Sequence, residues 1–432
     1  MVDFRPFSGI RFDASIAGRM EDLICPPYDV ISPDHERILL ERNPNNMVSL
    51  ELAEIDGPVP EGRYRGAAAS FADMLDRSVL RADHAPAYYV LRQRFVGAGG
   101  RPDAPGPVME RYGLFGALRL EELGTGVLPH EDTRSGPKAD RLALIEETAA
   151  NFSPIFMLYR DPTGEVEAAI SRAKAKEPQA DFSVDGEEFT LWSIAEPDVV
   201  ARIASALAPQ PAYVADGHHR YETALTYLNR HDSEVAEDAP SRFVLTVMVD
   251  FDDPGLLIGP YYRVLRGLDE AQLAKVRGVL STLFVSRPSG TSGAEQLAAV
   301  VATIGQGGVT FGVVDEGGRH MILTPANDLI PEPDPSAPPG TQMRAIEAVV
   351  LQEMVLRPAL GDGFGEHLAL VHDSAEALDM VQRGDGQIAF FIKGVPADVF
   401  EAVVGAGIRL PAKSTYFYPK LPSGLVIHSL RG

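Results

Sequence analysis

A chain of 432 residues with one cysteine, Cys25, cannot form an intrachain disulfide, and a reducing compartment suits it. No uninterrupted apolar run reaches the roughly 18 residues that a membrane span needs. The opening Met1-Val2-Asp3-Phe4-Arg5-Pro6-Phe7 lacks the basic-then-apolar order of a secretory signal. Together these absences lead us to expect a cytoplasmic protein with no membrane partner. Positive charge is also scarce: 39 Lys and Arg face 61 Asp and Glu, for a formal net charge of −22. Such a field repels polyanions, so nucleic acid is not expected as a partner, and an anionic metabolite needs its own focused positive site. A Walker phosphate loop, a Rossmann glycine fingerprint, a GxSxG elbow and a protein-kinase signature are all missing.

What is present reads as an α/β protein. Hydrophobic residues make up 45% of the chain, ordinary for a globular protein, and the length calls for two or three domains. Cys25-Pro26-Pro27-Tyr28-Asp29 predicts a rigid turn, and Ser32-Pro33 predicts the N-cap and first turn of a helix over 34–42. Met47 to Leu52 has a strand pattern, a helix is expected over about 64–75, and strands over 88–96 and 112–120. The Gly- and Pro-rich stretch 97–107 between those strands is expected to be an exposed loop. Further strands are predicted near 127, over 154–159, 212–215, 243–249 and 256–264, with a helix from Gly136-Pro137 onward and another over 220–229. After Leu268 helices and strands alternate, interrupted by a connection at 325–340 that holds six prolines.

Three polar clusters carry candidate chemistry. In Val214-Ala215-Asp216-Gly217-His218-His219-Arg220-Tyr221 a strand runs through Asp-Gly straight into a helix. The first N–H groups of a helix have no partner within it, and with the helix dipole they favour an anion. Gly217, His218, His219 and Arg220 add donors suited to phosphate, while Asp216 can cap the helix, act in catalysis or face a divalent cation. The same residues also read as a capped helix start with polar side chains in solvent. A zinc site on the paired histidines lacks HxxxH spacing or a cysteine pair. The second cluster is His130-Glu131 with Lys138, Asp140 and Arg141. A carboxylate on a loop after a strand can accept the proton of a substrate hydroxyl, and Lys138 and Arg141 can hold an anion; a solvated loop and a charged first helical turn are the alternative. The third, Pro411 to Lys420, sets two lysines and two hydroxyl residues among three aromatics, either to close a pocket or as an edge with solvated lysines.

Pro27-Tyr28-Asp29-Val30, Leu128-Pro129-His130-Glu131, Gly136 to Leu142, Asn151 to Phe156 and Asp216 to Tyr221 together resemble the prokaryotic domain-of-unknown-function family 1015, across nearly the whole chain. The loop 214–221 is also similar to the Asp-Gly-His-His-Arg loop of archaeal free serine kinases, members of the ParB/sulfiredoxin-like superfamily. Residues 1–120 have no counterpart in that second resemblance. It implies a ParB/sulfiredoxin-like nucleotide-binding core at 121–266 between α/β extensions at 1–120 and 267–432. The resemblance further implies transfer of a phosphoryl group from ADP or ATP, with Mg²⁺, to the hydroxyl of a small metabolite, L-serine being the first acceptor to consider. By the same resemblance Glu131 and Asp216 would take the catalytic roles, Gly217, His218, His219 and Arg220 would hold the nucleotide phosphates, and His130, Lys138, Arg141, Lys413 and Thr415 would line the substrate. Asp216 is also the candidate metal ligand. A nucleotide-binding switch, self-associating as a homodimer, and a hydrolase of a phosphorylated metabolite are the rival readings.

Overall fold

The computed structural model describes residues 2–52, 64–97, 106–132, 135–231, 236–304, 308–326, 328–330, 332 and 334–431, without the side chains of 135–137. Most of the expected loop 97–107 and part of the proline-rich connection lie outside these residues. The chain divides into two compact units. The first comprises 1–96, 108–256 and 419–432; the second comprises 97–107 and 257–418.

A nine-stranded sheet forms the first unit. Its strands in chain order are β1 (Phe4–Arg5), β2 (Tyr88–Val96), β3 (Val108–Arg119), β4 (Val127–Pro129), β5 (Ile155–Tyr159), β6 (Ala180–Val184), β7 (Glu187–Ile194), β8 (Ala212–Asp216) and β9 (Phe243–Asp250). They lie in the order β4-β8-β5-β9-β3-β2-β7-β6, with β1 on the same edge of β3 as β2. Both β4–β8 and β5–β9 are parallel and the other pairs antiparallel, so the fold is mixed α/β. Because β2 and β3 share this sheet with β4, β5, β8 and β9, the segments 1–120 and 121–266 distinguished in the sequence do not build separate sheets.

The longer helices of the unit are α1 (Pro33–Arg42), α2 (Arg65–Asp76), α3 (Ser135–Thr148), α4 (Glu165–Lys174), α5 (Pro197–Leu207) and α6 (His218–His231). Ser32 caps α1 as expected, its hydroxyl accepting the His35 N–H at 3.2 Å. On α6, Tyr221, Ala224 and Leu228 recur at helical spacing, and all three enter the core with β8 and the buried face of α5. Residues 47–52 depart from the expected strand. Asn46 Oδ1 accepts the Val48 N–H at 2.9 Å, a local turn that starts the short helix Val48–Glu51. The stretch 256–264 splits into two short strands, Leu257–Gly259 and Tyr262–Leu265, because Pro260 between them has no N–H to continue a ladder.

The second unit has a six-stranded sheet, whose strands include Tyr262–Leu265, Phe311–Asp315 and Ile388–Phe391, with its own core around Leu297, Val314, Ala377 and Phe391. A helical run from Glu347 to Leu360, π-helical over Val350–Leu356, belongs to the alternation expected after Leu268.

The final residues are bound firmly into the first unit. His428 pairs with Asn151, Ile427 bridges Ile10, and Ser423 bridges Cys25. His428 donates from Nε2 to the Pro240 carbonyl at 3.1 Å, and burial depresses its pKa from 6.5 to about 4. Since the unfolded chain binds this proton first, stability is complete above pH 6.5 and is lost as pH falls from there towards 4. The unfolding free energy should drop over that interval by on the order of 3 kcal/mol through this group. Urea titrations at several pH values would show a steeper decline in the wild type than in His428→Phe; parallel declines would remove His428 as the cause.

Candidate active site at the ends of two parallel strands

The site begins with a register. Val127, Leu128 and Pro129 pair with Ala212, Tyr213 and Val214 in parallel, so both chains leave the sheet at the same level. Counting two residues onward, Glu131 follows β4 as Asp216 completes β8. Each strand then feeds a helix, α3 after β4 and α6 after β8. These helices pack on one another, with Lys138 of α3 ion-paired to Glu222 of α6. Open α/β sheets offer ligand sites at such carboxyl ends, where helix starts gather.

Gly217 makes the turn between β8 and α6. Its φ of +100° belongs to a region where a side chain is strained, and a Cβ there would meet the Arg220 guanidinium at 3.2 Å. Arg220 folds back across the loop, donating from Nη2 to Asp216 Oδ2 at 2.8 Å and from Nη1 to the Pro154 carbonyl at 2.5 Å. The other oxygen of Asp216 receives Lys420 Nζ. With both oxygens facing cations, this carboxylate does not fit the part of a resident Mg²⁺ ligand. No group of three or more His, Cys, Asp and Glu among the described residues is placed to hold a metal.

His218 joins the two strand ends. Its Nε2 accepts the His130 backbone N–H at 3.3 Å, which leaves the proton of the neutral ring on Nδ1, 3.7 Å from Glu131 Oε1. The His130 and His218 rings meet edge to face, with centroids 4.6 Å apart. His130 donates from Nδ1 to the Val214 carbonyl at 2.7 Å, and burial lowers its pKa, so it serves as a neutral strut between β4 and β8. Glu131 is half-buried, whereas His130 and His218 are each only 3% exposed. A carboxylate, an imidazole and a guanidinium therefore surround the start of a fourteen-residue helix. His219 opens α6 beside His218, half-buried.

Other candidates sit elsewhere. Arg141 points inward, donating to Glu51 Oε2 at 2.9 Å, to the Glu51 carbonyl at 3.0 Å and to Tyr64 Oη at 2.8 Å, with Asp140 on its Nε. Tyr28 covers the guanidinium at 4.1 Å, so the Pro27-Tyr28-Asp29 turn, read from sequence as a rigid turn, is part of this network. Arg141 and Glu51 line a cavity of about 30 Å³ with Arg220, large enough for water alone. Lys413 and Thr415 belong to the second unit, where Lys413 has φ +57°, lies over the Tyr261 ring and gives its carbonyl to Arg263. Glu51 was hidden from sequence reading by its strand-like surroundings. Lys420 was visible only as one lysine of a C-terminal cluster, with no local signal tying it to Asp216.

A family model described as "Protein of unknown function (DUF1015)" matches residues 4–349. The chain belongs to this DUF1015 family. No curated protein matches it. Among solved structures, it is similar to a conserved hypothetical protein from Pyrococcus furiosus, at 14% identity, over 69% of this chain and 90% of that one, with a TM-score of 0.33. A free serine kinase in complex with AMP is similar at 13% identity, over 71% of this chain and 98% of that one, with a TM-score of 0.34. SbnI from Staphylococcus aureus, truncated at its C-terminus, is similar at 9% identity, over 72% and 85% of the two chains, with a TM-score of 0.36. No helix among the described residues is long and apolar enough to cross a membrane.

Two variants test the architecture of this DUF1015 site. Gly217→Ala should destabilise the protein by about 1–2 kcal/mol, because its φ lies where a Cβ is penalised, and should displace Arg220. Denaturant midpoints would read this, and an unchanged midpoint would remove the constraint. Arg141→Met, which strands the buried Glu51 carboxylate, should cost about 3–5 kcal/mol, while Glu51→Leu in the same chain should return much of it. A double variant no more stable than the single one would contradict the pairing.

Proposed function

We propose that this DUF1015 protein is a phosphotransferase that moves a phosphoryl group from ADP or ATP to the hydroxyl of a small metabolite. One observation carries the reading: the β4–β8 register brings Glu131 and Asp216 to the strand ends at the level where α6 starts, with His218 between them and Arg220 on the loop. Helix N-termini bind phosphate oxygens through those N–H groups and the dipole behind them. The likeness of the loop 214–221 to that of free serine kinases supports a nucleotide as phosphate donor and names L-serine as the first acceptor to test.

The nucleotide enters as its Mg²⁺ complex, as substrate. Its terminal phosphates take the N–H groups at the start of α6 and a guanidinium donor from Arg220. The acceptor hydroxyl is oriented by Glu131, which receives its proton. As the new O–P bond forms, the bond from phosphorus to the bridging oxygen breaks, and its electron pair leaves with the nucleotide. Charge spread over the transferred oxygens is met by the fixed donors of α6 and Arg220, which need no reorganisation during the reaction. His218 Nδ1–H faces Glu131 and keeps its carboxylate turned towards the loop. Asp216, gripped by Arg220 and Lys420, holds the geometry of the loop.

Purified protein incubated with Mg²⁺, ADP or ATP and a panel of hydroxyl metabolites, followed by mass spectrometry, tests the proposal. Phosphoserine or another phosphorylated acceptor should form, and Glu131→Gln should lower turnover by about 10²- to 10⁴-fold while nucleotide binding survives. Full activity in that variant would take Glu131 out of the mechanism. Tight nucleotide binding without any product would favour a switch, and phosphate release from a phosphorylated metabolite alone would favour a hydrolase.

A further inference from the structure

Lys420 enters the transfer step above only through its grip on Asp216, yet the fold holds the segment around it at several points. Arg111, 1% exposed, donates from Nη2 to the Pro419 carbonyl at 2.7 Å and to Gln93 Oε1 at 2.5 Å. Gln93, equally buried, donates from Nε2 to the Lys420 carbonyl at 3.2 Å. The same guanidinium rests on the ring of Phe156, 4.8 Å away, and Phe156 is the residue that pairs with Asp216 across β5 and β8. Three residues further on, Ser423 donates its N–H to the Cys25 carbonyl at 2.8 Å, and Gly424 donates to the Phe152 carbonyl at 3.0 Å. The backbone around Lys420 is thus held at several points, and its ammonium ends on Asp216 beside the first turn of α6.

The two cations on Asp216 differ in freedom. The Arg220 guanidinium is planar and is tied to the Pro154 carbonyl as well as to Asp216. Lys420 carries a compact charge on a flexible stem, with donors that reorient as the stem rotates. Only 14% of its side chain is exposed, so its charge acts in a setting where water screens weakly. A multiply charged anion arriving at the start of α6 attracts both cations, and the ammonium can follow it without giving up its anchored backbone.

We infer that Lys420 is a phosphate-binding residue, its ammonium passing from its place on Asp216 to a bridge between Asp216 and the phosphate oxygens of a ligand seated at the start of α6. The inference rests on the phosphotransferase reading only in taking phosphate as the ligand; it does not depend on transfer taking place. No part of the loop 216–220 itself supplies this contact, which comes from a segment some two hundred residues away in sequence.

Calorimetric titration of the full chain with Mg²⁺·ADP, pyrophosphate and adenosine, at low and moderate salt, tests it. In Lys420→Met the dissociation constants for ADP and pyrophosphate should rise about 10- to 100-fold, as the loss of a charge-assisted contact implies. Adenosine binding should be unchanged, Lys420→Arg should recover part of the loss, and the salt dependence for pyrophosphate should flatten in Lys420→Met. Thermal melts establish that the variants fold; if Lys420→Met does not, the same comparison is made with Lys420→Gln. Wild-type affinity for ADP and pyrophosphate in a folded variant overturns the inference, as does an equal loss for adenosine. Wild-type protein that binds pyrophosphate through Lys420 but no nucleotide would sustain the inference and remove the nucleotide donor. Protein that binds neither would remove both.

Discussion

The site depends on one short ladder, the parallel pairing of 127–129 with 212–214. Three residue pairs are enough to carry Glu131 and Asp216 off the sheet together. Successive strand residues face opposite ways, so a slip of one would turn His130 from the Val214 carbonyl and separate Glu131 from His218. The ladder is held from several sides. His130 bonds β8 from β4, the buried apolar face of α6 packs beneath, and β5 closes the far edge of β8 with a shift in register at Val214–Asp216. That shift falls at the last residues of the strand, where the chain must turn out through Gly217.

Electrostatics in this protein are divided between the whole and the part. A net charge of −22 surrounds the molecule with a field hostile to anions. Around the loop, however, Arg220 and Lys420 meet on Asp216, and the positive end of α6 lies at the same place. Arg141 stands nearby, but Glu51 and Asp140 neutralise it at close range. A buried ion pair of that kind adds little net stability while making each partner costly to remove alone. Its effect is to fix where the helix α3 begins relative to α2, through Tyr64 and Asp140, and so to fix the wall on that side of Arg220.

Much of the fold was legible because its signals are local. Ser32-Pro33 announces α1, the period of Tyr221, Ala224 and Leu228 announces α6, and apolar runs announce β2, β5, β8 and β9. Where the reading failed, a local polar contact or a proline decided the outcome. Asn46 turned 48–51 into a helix, and Pro260 cut a long strand in two. The division of the first unit was not legible, since its sheet interleaves strands from 4 to 250 and no composition change marks that interleaving. Within the site, Asp216 to Arg220 stood out as a strand-to-helix turn with dense polar residues. Arg141 stood out too, but a charged residue near a helix start reads alike whether it faces solvent or a buried carboxylate.

The sequence by itself determined the α/β class, membership of the DUF1015 family and a strand-to-helix turn at Asp216-Gly217, because strand period, helix capping and a glycine at positive φ act over a few residues. Only the tertiary structure decided that Glu131 lies beside His218, that Arg141 is spent on Glu51, and that Lys420 reaches Asp216. Those contacts join residues 87 to 204 positions apart. Their geometry comes from strand order and helix packing, which a local pattern of residues does not encode.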